Sequence, residues 1–250
     1  MGQSDNLNNR WVLITGGAKR IGATVCRTLH ANGANIALHY RSSSTDAEAL
    51  ADKLLAIRPD SVALFAGDLT EVGSAAKLMD AVLARCGRLD VLINNASTFY
   101  PTPVGTITEA HWDDLVGTNL KAPLFLCQAA APALRKHDGV IINMVDIHAR
   151  RPLKDHPVYG PAKAGLAMLT LSLAKDLAPE IRVNGVAPGA ILWPSDGMTD
   201  DAKESIVRQI PLARAGGPED IAGAILYLVR DATYVSGQIL AVDGGRSVGW

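Results

Sequence analysis

Tyr159 and Lys163 lie four residues apart at the start of a stretch with helical periodicity, which puts both side chains on one helix face. A phenol with a pKa near 10 is a poor proton donor or acceptor at neutral pH. A neighbouring ammonium stabilises the phenolate, so this spacing predicts a tyrosine tuned downward for proton transfer beside a hydride carrier. Pro161 between them is tolerated in the first turn of a helix. Thirteen residues before Tyr159, Asp146 follows the apolar run Val140–Met144, at the expected end of a strand. A desolvated carboxyl group there could relay a proton to Tyr159. The plainer alternative is an aspartate that caps the strand end or meets solvent.

A second group of residues suits a phosphate-bearing ligand. Thr15-Gly16-Gly17-Ala18-Lys19-Arg20-Ile21-Gly22 joins an apolar run to a helical pattern. Glycines at such a join let the backbone turn tightly and approach a pyrophosphate, whose charge a helix N-terminus favours. Gly16, Lys19, Arg20, Ile21 and Gly22 are therefore expected to contact a dinucleotide; an ordinary tight turn is the alternative. A binder of the unphosphorylated dinucleotide places an acid about 20 residues further on, to hold the ribose hydroxyl. Between Gly22 and Asp46 there is none. Tyr40, Arg41 and Ser42 instead offer hydroxyls and a guanidinium to a 2′-phosphate, and Arg20 adds a cation nearby. NADPH is expected rather than NADH. Asp68 and Leu69 follow the third strand, where a carboxylate can accept from an adenine amine. Asn95 and Ala96 follow the fourth, where the chain passes beside the cofactor.

The elements that must position these groups alternate along the whole chain. Strand candidates are Trp11–Thr15, Asn35–Tyr40, Val62–Ala66, Val91–Asn94, Val140–Met144, Arg182–Val186 and Gln238–Val242. Helical spacing occupies roughly 20–32, 46–57, 73–86, 108–136, 157–178 and 218–229. This alternation predicts one Rossmann-type doubly wound α/β domain, about seven parallel strands with helices on both faces. Residues from about 190 to 217 read as a short helical flap over the site.

With 250 residues, 48% of them hydrophobic and 20% charged, the chain can bury a sizeable core. A net charge of −1 without a basic block argues against nucleic acid. No apolar run reaches membrane-spanning length, and residues 1–10 lack the regions of a signal peptide. Cys26, Cys86 and Cys127 match neither a disulfide framework nor a metal spacing, so free thiols, no metal and a cytoplasmic location are expected.

Five motifs together resemble the short-chain dehydrogenase/reductase family. They are Thr-Gly-x-x-x-Arg-x-Gly, Asn94-Asn95-Ala96, Tyr-x-x-x-Lys, Asn184-Gly-Val-Ala-Pro188-Gly189 and Val242-Asp243-Gly244-Gly245. They span the chain in the family's order. Within it the chain is most similar to pteridine reductases, on Arg20, His39-Tyr40-Arg41-Ser42, the run Asn95–Pro103 and Asp146, which stands where carbonyl reducers carry serine. A serine hydroxyl can donate to a carbonyl oxygen gaining charge, whereas a carboxylate there repels it and suits a ring with N–H donors.

The resemblance implies reduction of pterins by NADPH, with dihydrofolate a further candidate substrate left open, and with Asp146, Tyr159, Lys163 and Asn119 catalytic. It implies that Asn119 holds a water in the proton relay. Phe99 is implied to lie flat over the pterin, with Ser97 contacting both substrate and cofactor. Pro188 and Gly189 fall to the cofactor, Trp193 in the flap is expected to line the pocket, and the implied assembly is a homotetramer. From the residues alone, Phe99 in its Pro-flanked loop is either functional or simply packed. Two other readings stay open: a carbonyl reductase acting on a ketone or 3-oxoacyl group, and a non-catalytic NADPH-sensing regulator. Asp146 argues against the first. The second would be marked by loss of Tyr159 or Lys163, and both are present.

Overall fold

Apolar and β-branched runs extend where both faces of a sheet will be covered. Seven do so here: β1 (Trp11–Ile14), β2 (Asn35–Tyr40), β3 (Val62–Ala66), β4 (Val91–Asn94), β5 (Val140–Met144), β6 (Arg182–Pro188) and β7 (Ile239–Val242). The computed structural model describes residues 7–193 and 198–248. Every strand pair is parallel, in the order β3-β2-β1-β4-β5-β6-β7. The crossovers are α1 (Arg20–Ala31), α2 (Ser44–Ile57), α3 (Ser74–Cys86), α4 (Glu109–Val116), α5 (Ala122–Leu134), α6 (Tyr159–Asp176), α7 (Asp200–Arg208) and α8 (Pro218–Leu226). This is the doubly wound α/β domain that the alternation predicts.

Alternation along each strand divides the core between the two faces. Val12 and Ile14 pack with Val25 and Leu29 of α1, Leu50 of α2 and Ile221 and Ile225 of α8. Trp11 and Leu13 turn the other way, toward Leu78 and Val82 of α3 and Leu126 and Leu134 of α5. Each fully buried Leu or Val contributes about 1.5–3 kcal/mol relative to exposure. Strand order reverses between β1 and β4, so the segments leaving them diverge and open a crevice at their carboxyl ends. Ile14 is in register with Ile93, which delivers the glycine loop and Asn95-Ala96 side by side.

Some boundaries differ from the sequence reading. β1 ends one residue early: the Thr15 N–H still bonds the Ile93 carbonyl, but the Thr15 carbonyl accepts the Asn95 side-chain amide. β6 runs to Pro188 because Ala187 and Pro188 still pair with Ala241 and Val242. The single helix expected over 108–136 is interrupted at Gly117–Lys121 by a widened turn, in which the Ala122 N–H reaches back five residues to the Gly117 carbonyl. Wide turns of this kind often mark functional positions. The stretch from about 190 to 217, expected as a flap, contains α7, while residues 194–197 lie outside the described part. Cys26, Cys86 and Cys127 are free; burial pushes their thiols up to about 12, 11 and 12 respectively. Among the described residues no helix is long and apolar enough to cross a membrane, and no cluster of metal-ligating side chains occurs.

Candidate active site

The glycine loop is locked against the exit of β4. Gly16 has φ +61°, and a Cβ on it would lie 3.0 Å from Ala96 Cα; a Cβ on Gly22 would lie 2.7 Å from Asn95 Nδ2. Thr15 Oγ1 accepts the N–H groups of Asn95 and Ala96, each at 3.0 Å. Asn95 Nδ2 donates to the carbonyls of Thr15 (2.8 Å) and Gly16 (3.0 Å), so this side chain ties two loops together. Arg20 adopts φ +51°, which explains why glycine would be natural there. For a side-chain-bearing residue that conformation costs about 1 kcal/mol.

α1 opens with no side-chain cap and no acid in its first turn. Its positive end is therefore left for an anion. α4 and α7, by contrast, are capped by Thr108 and Thr199 and carry acids. Over the α1 terminus lies a cavity of about 370 Å³, lined by Gly16, Lys19–Gly22, Tyr40–Ser42, Asp68, Leu69 and Asn95–Ser97. The fold thus gathers there all the expected cofactor residues except Tyr159, Lys163, Pro188 and Gly189. A close-approach glycine loop, a bare helix terminus and nearby cations form a donor set that fits a dinucleotide pyrophosphate. Arg41 Nη1 stands 3.7 Å from Asp68 Oδ2 and 3.9 Å from Asp114 Oδ1, and Lys19 pairs with Asp46 at 2.8 Å. These exposed pairs are weak and a phosphate can displace them. Hydrogen bonds from Thr70, with Arg41 adding to them, hold the Asp68 carboxyl below its ordinary value.

At the exit of β5, Asp146 is half-buried; its Oδ1 accepts the His148 N–H at 2.8 Å and its Oδ2 accepts the Tyr159 hydroxyl at 2.8 Å. Tyr159 is 4% exposed. Lys163, 2% exposed, donates from Nζ to the Met144 carbonyl at 2.8 Å and stands 5.8 Å from the Tyr159 ring centre. This corrects the expected tuning. Burial, and after it the Asp146 carboxylate, raise the phenol above its ordinary value, with Ser97 acting weakly in the other direction. The ammonium is aimed at a carbonyl rather than at the phenol oxygen, and burial lowers its own pKa to about 8. The pair Tyr159–Asp146, not Tyr159–Lys163, is the hydrogen-bonded unit.

Asn119 lies in the widened turn and is fully buried. Its Oδ1 accepts from Ser97 Oγ at 2.6 Å, and its Nδ2 donates to the carbonyls of Thr98 and Leu115, both at 2.9 Å. These bonds tie Asn119 to the Ser97–Thr98 loop and to its own wide turn. Phe99 is 54% exposed. One of its faces is stacked on His156 (4.7 Å between centres, 15°), and it meets Tyr159 nearly at right angles (4.8 Å, 77°). Trp193 is half-buried and makes no ring contact with Phe99 or Tyr159 among the described residues. Pro188 ends β6; Gly189 bonds Val242, and a Cβ on it would lie 2.6 Å from Asp243 Cβ, so its glycine identity is explained by packing. Sequence reasoning assigned no role to Thr15, Asp114 or His156, whose partners are all distant in the chain or across a loop. Only the motif position of His39 carried a signal.

Comparison with known proteins agrees with this architecture. The family model described as "Enoyl-(Acyl carrier protein) reductase" matches residues 16–247. The chain belongs to the short-chain dehydrogenase/reductase family and is an oxidoreductase of the kind that uses a nicotinamide dinucleotide. It is 36% identical to pteridine reductase 1 of Leishmania tarentolae, over 94% of this chain and 96% of that one. It is also 36% identical to the 3-oxoacyl-[acyl-carrier-protein] reductase FabG of Staphylococcus aureus, over 93% and 96%. Similarity to 3beta-hydroxysteroid dehydrogenase 1 of Eggerthella lenta is 34%, over 98% and 96%.

Proposed function

We propose that this protein reduces oxidised or dihydro-pterins with NADPH, dihydrofolate being a further candidate to test. The observation that carries the reading is the carboxylate of Asp146 accepting the Tyr159 hydroxyl at 2.8 Å beside the exposed ring of Phe99. Gly16, Gly22 and the α1 terminus hold the dinucleotide pyrophosphate, Arg41 and Ser42 its 2′-phosphate, and Lys163 its nicotinamide ribose. Bound there, the reduced nicotinamide supplies a hydride to one carbon of a ring C=N bond. The nitrogen of that bond then needs a proton, and the chain's side chains manage it. Tyr159, kept neutral by burial and by Asp146, carries that proton at its hydroxyl. Ring N–H donors on the free lone pairs of Asp146 offset the carboxylate's charge, easing the phenol toward donation, and Asp146 relays the replacement proton. The free face of Phe99 packs on the flat ring. Self-association belongs to the same reading, supported by exposed apolar side chains on α5 (Leu124, Phe125) and α6 (Met168, Leu171).

A ketone or 3-oxoacyl substrate is the second reading, favoured by the equal identity to the 3-oxoacyl reductase. A growing oxyanion beside the Asp146 carboxylate opposes it. Initial rates and cofactor dissociation constants separate the two, measured with NADPH and NADH on dihydropterin, dihydrofolate and a simple ketone. Asp146→Asn should lower pterin turnover by about 10²–10⁴, the range for a positioned proton-transfer group, with NADPH affinity kept. Asp146→Ser should gain weak ketone reduction. The unaltered protein should bind NADPH more tightly than NADH, and Arg41→Asp should narrow or reverse that gap. Undiminished pterin turnover in Asp146→Asn, or a wild-type preference for ketones, would overturn the pterin assignment. Equal affinity for the two cofactors would overturn NADPH.

A further inference from the structure

His39 is buried at the end of β2, beneath the cavity, with 2% exposure. Its Nδ1 accepts the Gly16 N–H at 3.4 Å, and its Nε2 meets the Gly67 carbonyl at 3.1 Å. An amide donor on one nitrogen and a carbonyl acceptor at the other admit a single neutral tautomer, with the proton on Nε2. Gly16 begins the glycine loop and has a left-handed φ of +61°; Gly67 immediately precedes Asp68 and Leu69. Among the described residues, this imidazole is the partner of both groups. The main chain of β2 already bonds the neighbouring Gly17 N–H through the His39 carbonyl and the Gly67 N–H through the Tyr40 carbonyl. The ring adds a rigid crosspiece between the two loops, where flexible backbone alone would leave their separation loose.

We propose that His39 is a positioning residue for the adenosine half of the dinucleotide site, holding the glycine loop and the Gly67–Leu69 loop at a fixed separation. The inference rests on the dinucleotide reading of this cavity. Burial pushes the imidazole pKa down to about 4, with the Gly67 carbonyl and then Asp68 pulling the other way, so the neutral tautomer is the working form near neutral pH. Neither bond involves Arg41 or Ser42, the groups assigned to the 2′-phosphate. The effect must therefore fall equally on both dinucleotides.

Equilibrium titration of NADPH and NADH, followed by protein fluorescence alongside the melting temperature of the ligand-free protein, tests this with three variants. His39→Phe keeps a ring and loses both nitrogens. His39→Asn puts an amide oxygen near the Nδ1 position and keeps an acceptor for Gly16, while His39→Gln reaches the Nε2 position and keeps a donor for Gly67. His39→Phe should weaken both cofactors about 10- to 100-fold, the worth of unpaired buried polar groups. The NADPH-to-NADH ratio should hold, as should kcat at saturating NADPH. Asn and Gln should each recover part of the affinity; if His39→Phe does not fold, each should still bind more weakly than the wild type. Wild-type affinity in all folded variants would overturn the inference, as would a loss confined to NADPH, or a fall in kcat at unchanged affinity. A wild-type protein that binds neither dinucleotide would overturn the functional reading, and this inference with it.

Discussion

On the β1 side of the crevice the surface facing a ligand is largely main chain. Gly16, Gly22 and the uncapped N–H groups of α1 make it, and Asn95, Thr15 and His39 spend their polar atoms holding that backbone in place. On the β5 side the surface is side-chain chemistry: a carboxylate, a phenol and a buried ammonium, the last two with pKa values moved by burial. The two sides should fail in different ways. A backbone cradle is damaged by added volume or by loss of the polar groups that hold it in place. A proton-transfer unit is damaged by deleting one atom that hardly alters volume.

The largest effect should come from such a deletion. Tyr159→Phe removes one oxygen and should cut kcat for pterin reduction by about 10²–10⁴ while leaving the NADPH dissociation constant nearly unchanged. Single-turnover rates and fluorescence titration would read the two quantities separately. Full activity in this variant would break the comparison and move the proton to Asp146.

The matching test on the other side adds a single methyl group. In Gly22→Ala the new Cβ meets Asn95 Nδ2 at 2.7 Å and Gly17 Cα at 3.0 Å, so the loop must shift. Overpacking of this kind costs about 1–3 kcal/mol. Dinucleotide affinity should fall by about tenfold or more, with kcat at saturation much less affected; calorimetric titration checks this. If kcat falls and affinity holds, the division between the two sides is wrong.

A smaller effect is expected from pH. The folded-state pKa of Lys163 lies near 8, below its ordinary 10.5. Folding therefore bears a cost for the charged form below pH 8, and that cost is relieved as pH rises from 8 toward 10.5, where only the unfolded chain keeps the proton. Function should run the opposite way, because the ammonium proposed to hold the ribose is lost over the same range. NADPH affinity should decline above about pH 8 in the wild type. In Lys163→Met it should be weak and flat across that range, and a wild-type affinity that rises above pH 8 would refute the assignment.

The order of elements was legible because alternation of apolar runs with helical spacing is written locally, and so was the gathering of Gly16 to Gly22 over a helix start. Asp146 could be singled out by its residue type at a strand end. The direction of the Tyr159 shift could not, because it depends on how deeply the phenol is buried and on which partner it meets. A spacing of four residues puts Lys163 on the same face as Tyr159, but the backbone of β5 supplies a nearer acceptor at Met144. Asn119 was placed by motif and its partners by folding alone, since they come from a loop 21 and 22 residues earlier and from its own widened turn.

By itself the amino-acid sequence determined the parallel α/β architecture, the glycine-bearing turn and the absence of an acid at the end of β2. Each of these depends on near neighbours in the chain: periodicity, backbone freedom, residue type. Tertiary structure decided what the site can do. Reversal of strand order between β1 and β4 brings Gly16 and Asn95 into contact across 79 residues of chain, and packing of α6 under β5 buries Tyr159 against Asp146. Burial and pairing set proton affinities, and both are properties of what surrounds a group in space rather than of its position along the chain.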